Sequence, residues 1–267
     1  VQFTDGLRRK EQGLMTSRFR HDPGDGRQAD PPDATPGSFG ASLSPSARAA
    51  LTAAGTRHRY RAGTPLFHQG DPSRHVVLVE QGWVKVTSTS RRGWEALLAI
   101  RGPGDILGEL SAVDGRPRLA TVTGLSPVHA TLITAERLHT CLAEWPEIAL
   151  SLLRHLAASL READGRRVEY GSSNGDNRLI GLLVELLDKH GVGTADGMLL
   201  DLPLSQQDLA AAVGTSREVV ARTLRVLRNR HIVSTRRLRI VVVEPDLLRS
   251  LAGSVSMSTD SPWSSTT

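Results

Sequence analysis

Cysteine is nearly absent from these 267 residues. Cys141 stands alone, which excludes an internal disulfide and a cysteine-only zinc or iron–sulfur site. Aromatic side chains are sparse too, at 4%, so a core must be built mainly from Leu, Val and Ala. The longest aliphatic stretches, such as Leu238–Val243 around Arg239, fall far short of the roughly 20 residues of a membrane span. Val1 to Arg20 mixes charges and lacks the apolar run of a secretory signal. The nine His show no metal-ligand spacing. There is no G-x-S-x-G elbow, H-E-x-x-H pair or G-x-x-x-x-G-K-[ST] loop to suggest an enzyme. These absences lead us to expect a soluble, cytoplasmic protein that is not an enzyme, with no metal, no iron–sulfur cluster and no membrane partner.

What is present fits a globular chain: 39% apolar and 23% charged residues, enough for one large domain or two small ones. The net charge of +5 is unevenly placed. Residues 216–243 hold eight Arg against Glu218, whereas residues 176–215 hold six acids against Arg178 and Lys189. A steep basic excess beside an acidic neighbour marks a localised polyanion footprint.

Residues 1–43, with DPGDGRQADPPDATPGS as the extreme, are too polar to offset their chain entropy and read as a disordered tail. A tail over 251–267 reads the same way. Ser44-Pro45 starts a short helix that ends near Gly55. From Tyr60 to Ile133, short runs rich in Val, Ile and Thr alternate with glycine turns, the pattern of a compact all-β unit. Sandwich, roll and barrel stay open on that ground. After Trp145-Pro146 the period becomes helical. Ile148, Leu152 and Leu156 form one stripe, and Leu150, Leu153, Ala157 and Leu160 form a second. Two stripes imply two surfaces to cover, the β unit and either a second copy or another part of the same chain. Residues 171–177, GSSNGDN, read as a hinge, with helical patterns resuming at Arg178–His190 and Ser205–Val213.

The strongest local signal runs from Leu204 to Val243. Ser205 with Asp208 three positions on forms an acidic capping box. Gly214 allows a tight turn, and Thr215-Ser216 caps a second helix from Arg217 to about Asn229. At about 100° per residue, Arg217, Glu218, Ala221, Arg222, Arg225, Arg228 and Asn229 fall on one side of that helix. Val219, Val220, Thr223, Leu224, Val226 and Leu227 fall on the other. Four Arg on one face suit DNA, because Arg donates twice to guanine and Glu accepts from cytosine. HIVS and TRRLRIVVV then read as two short strands whose turn brings Arg236 and Arg237 to phosphates. Ser205, Gln206, Thr215, Ser216, Arg217, Glu218, Arg222, Arg225, Arg236 and Arg237 are therefore the candidate DNA contacts.

In AGTPLFHQGD, VEQGWVKV, GPGDILGEL, WPEIALSLLRHLAASL and LSQQDLAAAVGTSREVVARTL, the chain resembles the cyclic-AMP receptor protein/FNR (CRP/FNR) family of bacterial transcription regulators. The resemblance covers about residues 44–250, with TSREVVAR its most specific piece. It implies an α+β fold: a β-roll effector or sensor domain over 44–145, a central dimerisation helix and hinge over 146–175, and a winged helix-turn-helix over 176–250. It also implies a homodimer on double-stranded DNA with a near-palindromic TGTGA-like site, and RNA polymerase as a partner. Arg217, Glu218 and Arg222 match the positions that read G and C bases in the family.

The family's phosphate-binding cassette falls on Gly108, Glu109, Leu110 and Ser111, and on Arg118, Leu119 and Ala120; the residues facing the base fall on Ala163 and Asp164. This chain departs from the pattern there. Leu119 stands where the family has a hydroxyl, and Ala163 offers adenine no hydrogen bond. The effector is therefore left unknown, with a cyclic nucleotide such as cyclic AMP one option. Two alternatives remain beside it: an effector-independent regulator with a vestigial pocket, and a cyclic-nucleotide module whose DNA binding is secondary. The family also often has Gly before the first wing strand. Asn229-Arg230-His231 occupies that place, with Asn the residue suited to positive φ.

Overall fold

Eight short strands build the N-terminal half: β1 (Thr56–Tyr60), β2 (Pro65–Phe67), β3 (His75–Gln81), β4 (Val84–Thr89), β5 (Glu95–Arg101), β6 (Ile106–Leu107), β7 (Thr121–Gly124) and β8 (Val128–Thr134). They pair antiparallel into two sheets, ordered β1-β8-β3-β6 and β2-β7-β4-β5. This computed structural model describes residues 34–255 except Ser73 and Arg237. The parts of the two expected tails over 1–33 and 256–267 lie outside the described residues.

β3 shows why the sheets stack. Side chains alternate across a strand, so Val77 and Val79 enter the space between the sheets with Leu66, Phe67, Val84 and Val122. Val76 and Leu78 face the other way. There they meet four helices, α1 (Pro45–Ala53), α2 (Glu109–Asp114), α3 (Ala135–Glu144) and α4 (Pro146–Ser172), through Leu51 of α1, Ala112 of α2, Leu138 of α3 and Ile148 and Leu152 of α4. A strand buried on both faces needs no polar alternation, and HVVLV has none.

Residues 34–43 correct the expectation of a tail reaching to 43. Phe39 and Leu43 are buried in this core, and Gly40–Ser42 forms a 3-10 turn whose Gly40 carbonyl accepts from Arg48 at 2.7 Å. Averaged over the segment, composition hides two apolar anchors.

On α4 the first stripe found its sheet: Ile148 and Leu152 are buried. Leu150, Leu153 and Leu160 of the second stripe remain exposed. The hinge expected over 171–177 contracts to Ser173 and Asn174. Asn174 caps α5 (Gly175–His190) by accepting from the Asn177 N–H at 3.0 Å, so the helix begins three residues before Arg178.

Then come β9 (Gly191–Thr194), β10 (Gly197–Leu200), α6 (Gln206–Val213), α7 (Arg217–Asn229), β11 (Val233–Arg236), β12 (Arg239–Val242) and α8 (Pro245–Val255). The strands form one sheet ordered β11-β12-β10-β9. Its core joins Leu179, Leu183 and Leu187 of α5 to Leu209, Val220, Leu224 and Leu248. The β9–β10 hairpin was not legible in the sequence. α8 continues past the expected boundary at 250, because Leu248 docks in this core. The architecture is α+β: a β-roll, a long helix and a winged helix-turn-helix. No described helix is long and apolar enough to cross a membrane.

Leu183 is fully buried, and Leu183→Ala should lower unfolding stability by roughly 2–5 kcal/mol. Urea titration followed by circular dichroism measures this. A loss under about 0.5 kcal/mol, the range of surface substitutions, would mean that α5 does not organise this core.

Candidate nucleic-acid interface and internal cavity

α7 divides as its angular pattern requires. Val220, Thr223, Leu224 and Leu227 are buried, while Arg217, Glu218, Arg222, Arg225, Arg228 and Asn229 are exposed. Ser216 caps it, its hydroxyl accepting from the Val219 N–H at 3.4 Å. The open face is not uniformly free. Arg222 donates to both carboxylate oxygens of Asp176, at 2.9 and 3.2 Å, and Thr223 donates to the same carboxylate. Among the described residues Arg217, Arg225 and Arg236 make no ion pair. Arg228 donates to the Thr235 hydroxyl at 2.8 Å, tying α7 to the first wing strand. His231, not Asn229, takes the positive φ, at 56°; His shares Asn's tolerance of that region. Arg237 lies outside the described residues.

α6 is gripped at both ends. At its start Ser205 Oγ accepts from Asp208 N–H at 3.1 Å, and Asp208 accepts from Ser205 N–H at 2.9 Å. The other Asp208 oxygen accepts from Lys85 of β4 at 2.5 Å, an ion pair that joins the β-roll directly to the helix-turn-helix. Burial would push the Asp208 carboxyl up, but hydrogen bonds from Lys85 and Ser205 hold it below the ordinary value. Ser205 and Gln206 are half-buried here. At its end the orphan carbonyls of the last turn find two donors. Tyr170 donates to Ala212 at 2.6 Å, and Arg178 donates to Val213 at 2.8 Å and Gly214 at 3.3 Å. Gly214 sits at φ +60°, and an added Cβ would lie 2.7 Å from the Tyr170 ring. A side chain at that turn would strain the backbone and crowd the tyrosine.

Between the β-roll, α4 and the helix-turn-helix lies a cavity of about 1040 Å³ with a mainly apolar lining. Arg118 is its unusual member. The side chain is buried, stacks 4.3 Å from the Phe67 ring centroid, and donates to the carbonyls of Gly108, at 2.9 Å, and His75. Its Nε has no partner, and it makes no ion pair among the described residues. The other three arginines on the lining each have a carboxylate within 4 Å: Arg101 with Glu162, Arg166 with Glu185, and Arg167 with Asp164. Burial pushes the Glu109 carboxyl up. Burial, then the charges of Arg118 and His58, push His75 down to about 4.

Residues 57–144 match the model of the cyclic nucleotide-binding domain, and residues 177–251 match that of the Crp-like helix-turn-helix domain. A CRP-like cAMP-activated global transcriptional regulator of Mycobacterium tuberculosis is 32% identical over 182 residues, 68% of this chain and 81% of that one. The chain belongs to the CRP/FNR family of transcription regulators. A global nitrogen regulator of Synechococcus elongatus is 28% identical over 70% of this chain and 85% of its own. The c-di-GMP responsive regulator CLP of Xanthomonas campestris superposes with a TM-score of 0.66 at 22% identity, covering 74% of this chain and 98% of that one; that likeness concerns the fold.

In this CRP/FNR regulator, Gly108, Glu109, Leu110, Ser111, Arg118, Leu119, Ala120 and Ala163 all line the cavity. Asp164 is not among the lining residues; it pairs with Arg167 at 3.7 Å. Sequence reasoning missed Trp94, Leu98 and Tyr170 on the lining, as well as Ala211 and Gly214, which the helix-turn-helix contributes. Spacing along one chain carries no signal of a domain folding back on another. The sequence did contain Lys85, one of three lysines in the chain, but nothing local linked it to Asp208.

His75 generates an acid dependence. Its folded value near 4 lies below the ordinary 6.5, so between those values the unfolded chain binds the proton and the folded chain does not. Stability should be complete above about pH 6.5 and decline toward pH 4 by at most about 1.4 kcal/mol per pH unit. His75→Gln should flatten that decline in urea titrations repeated across the window. An unchanged slope would assign the acid sensitivity to other groups.

Proposed function

We propose that this regulator acts as a cytoplasmic homodimer on a near-palindromic, TGTGA-like site, under the control of a small ligand in the β-roll cavity. The observation that carries the reading is the α7 face: four exposed arginines with Glu218 over a buried apolar side. A face of mixed solvated ion pairs would balance its charges; this one does not. Arg217, Glu218 and Arg222 lie in the first two turns, where helix-turn-helix proteins meet base edges. Ser205, Gln206, Thr215, Ser216, Arg225, Arg236 and Arg237 serve the phosphates, which position the helix without reading sequence. The division into sensor (44–145), helix and hinge (146–175) and DNA-binding domain (176–250) belongs to the same reading, with RNA polymerase the partner through which binding affects transcription.

Dimerisation is supported by the uncovered stripe of α4. Leu150, Leu153, Leu160 and Val168 are 47 to 71% exposed, and an apolar stripe of this kind on a surface helix marks an interface. The Mycobacterium tuberculosis relative is cAMP-activated by its name, which supports small-molecule control here without naming the molecule.

The test is fluorescence anisotropy of a labelled TGTGA-N6-TCACA duplex against random duplex at fixed salt. Arg217→Ala should cost about 1–3 kcal/mol on the specific duplex and leave random binding nearly intact. Equal weakening on both would move Arg217 to the phosphates and sink its assignment. For the dimer, Leu153→Glu should shift the sedimentation of the protein from two chains to one and weaken the palindrome more than an isolated half-site. A dimer that persists would displace the interface from α4.

A further inference from the structure

The cavity does not suit the ligand that its sequence position suggests. A cyclic nucleotide needs polar partners along its whole length, since each buried polar group left unpaired is costly. Leu119 and Ala163 supply none. The Ser111 hydroxyl is turned to the Pro117 carbonyl, at 3.4 Å. Arg118 offers the cavity an unpaired charge, while Trp94, Leu98 and Leu119 expose large apolar surfaces on the same lining, between 37 and 62% of each residue. Contiguous exposed apolar surface of that kind marks a binding site, and the volume lies at the upper end of small-molecule pockets.

We propose that the cavity binds an elongated apolar acid, a hydrocarbon chain with one terminal carboxylate. The carboxylate pairs with Arg118, and the chain lies along Leu98, Leu119, Leu156 and Ala163 toward Tyr170. A carboxylate needs far fewer partners than a ribose phosphate, and a guanidinium with donors to spare matches its two oxygens. The far end gives such a ligand a route to DNA binding, because Tyr170 lines the cavity and holds the Ala212 carbonyl beside the Gly214 turn. Glu109 on the lining favours a ribose hydroxyl, and a cyclic AMP titration addresses it. This inference rests on the reading of the cavity as an effector site.

The full-length protein is titrated calorimetrically with decanoate and dodecanoate below their micellar concentrations, and with 1-decanol and cyclic AMP. One acid per chain is expected, with affinity rising about three- to fourfold per methylene and decanoate favoured over 1-decanol by about tenfold or more. Leu119→Ser should weaken dodecanoate several-fold. Arg118→Met should erase the preference for acid over alcohol while keeping alcohol binding. Should that variant fail to fold, the acid-to-alcohol ratio of the unaltered chain decides. Equal affinity for acid and alcohol, binding of cyclic AMP without the acids, or no binding at all overturns the inference. Anisotropy on the TGTGA duplex reports separately: specific DNA binding without acid binding removes only this inference, and saturable acid binding without specific DNA binding removes only the DNA reading.

Discussion

A guanidinium buried with no ion pair among the described residues is a costly thing to build, and the β-roll is arranged around one, Arg118. Arg118 is held by the carbonyl of Gly108, where β6 turns into α2, and by that of His75 at the start of β3, with Phe67 of β2 beneath it. One side chain thereby joins two strands, β2 and β3, to the turn between β6 and α2. The demand runs back into the backbone. Gly108 sits at φ +78°, and an added Cβ would lie 2.1 Å from the Arg118 Nη1, so the turn and the arginine require each other. The His75 ring, beside the same cation, is kept neutral well below its ordinary range. The floor of the cavity is thus a structural necessity of the roll before it is anything else.

The DNA-binding domain is coupled to that floor through α6. Lys85 holds its first turn from the sheet, and Tyr170 and Arg178 hold its last turn from α4 and α5. A second bridge runs from Glu162 of α4 to Lys189 of α5 at 2.7 Å. A ligand can shift an equilibrium only by its differential affinity for the two states. The lining includes Arg118 from the roll and Ala211 and Gly214 from the helix-turn-helix. Its shape therefore depends on where the DNA-binding domain sits, and any occupant touching both ends distinguishes the arrangements.

Much of this was legible in the residues themselves. The α7 partition, the Ser205–Asp208 box and the Gly214 turn are local, set by spacings of three or four residues, and the structure shows each of them. The β unit was legible as strands but not as a roll, because the choice depends on which faces meet, as when Val77 finds Phe67 across the sheets. The cassette residues pointed to the cavity, while Trp94, Tyr170 and Gly214 reached it only through packing. Phe39 was hidden inside a polar segment, and α8 was hidden because one docked residue, Leu248, fixes a short helix that periodicity alone does not single out. Local chemistry was readable, and long-range partnership was not.

The pairing of Arg222 with Asp176 shows how the two kinds of information combine. On the proposed reading Arg222 meets a base, yet in the free protein its guanidinium holds a carboxylate. The pair is partly exposed, with 61% of the arginine side chain open, and such pairs are worth about 0–1 kcal/mol. A bidentate contact to guanine discriminates by about 1–3 kcal/mol, so exchanging Asp176 for a base is favourable on the right sequence and close to neutral on the wrong one. Asp176 also restrains a long side chain before DNA arrives, which reduces the rotamer entropy lost on binding. Among the described residues Arg217 makes no ion pair, so it loses more rotamer freedom on binding but has no paired carboxylate to leave. Two arginines on one face, one held by a carboxylate and one with no ion pair among the described residues, therefore differ in the rotamer freedom each loses when it meets a base.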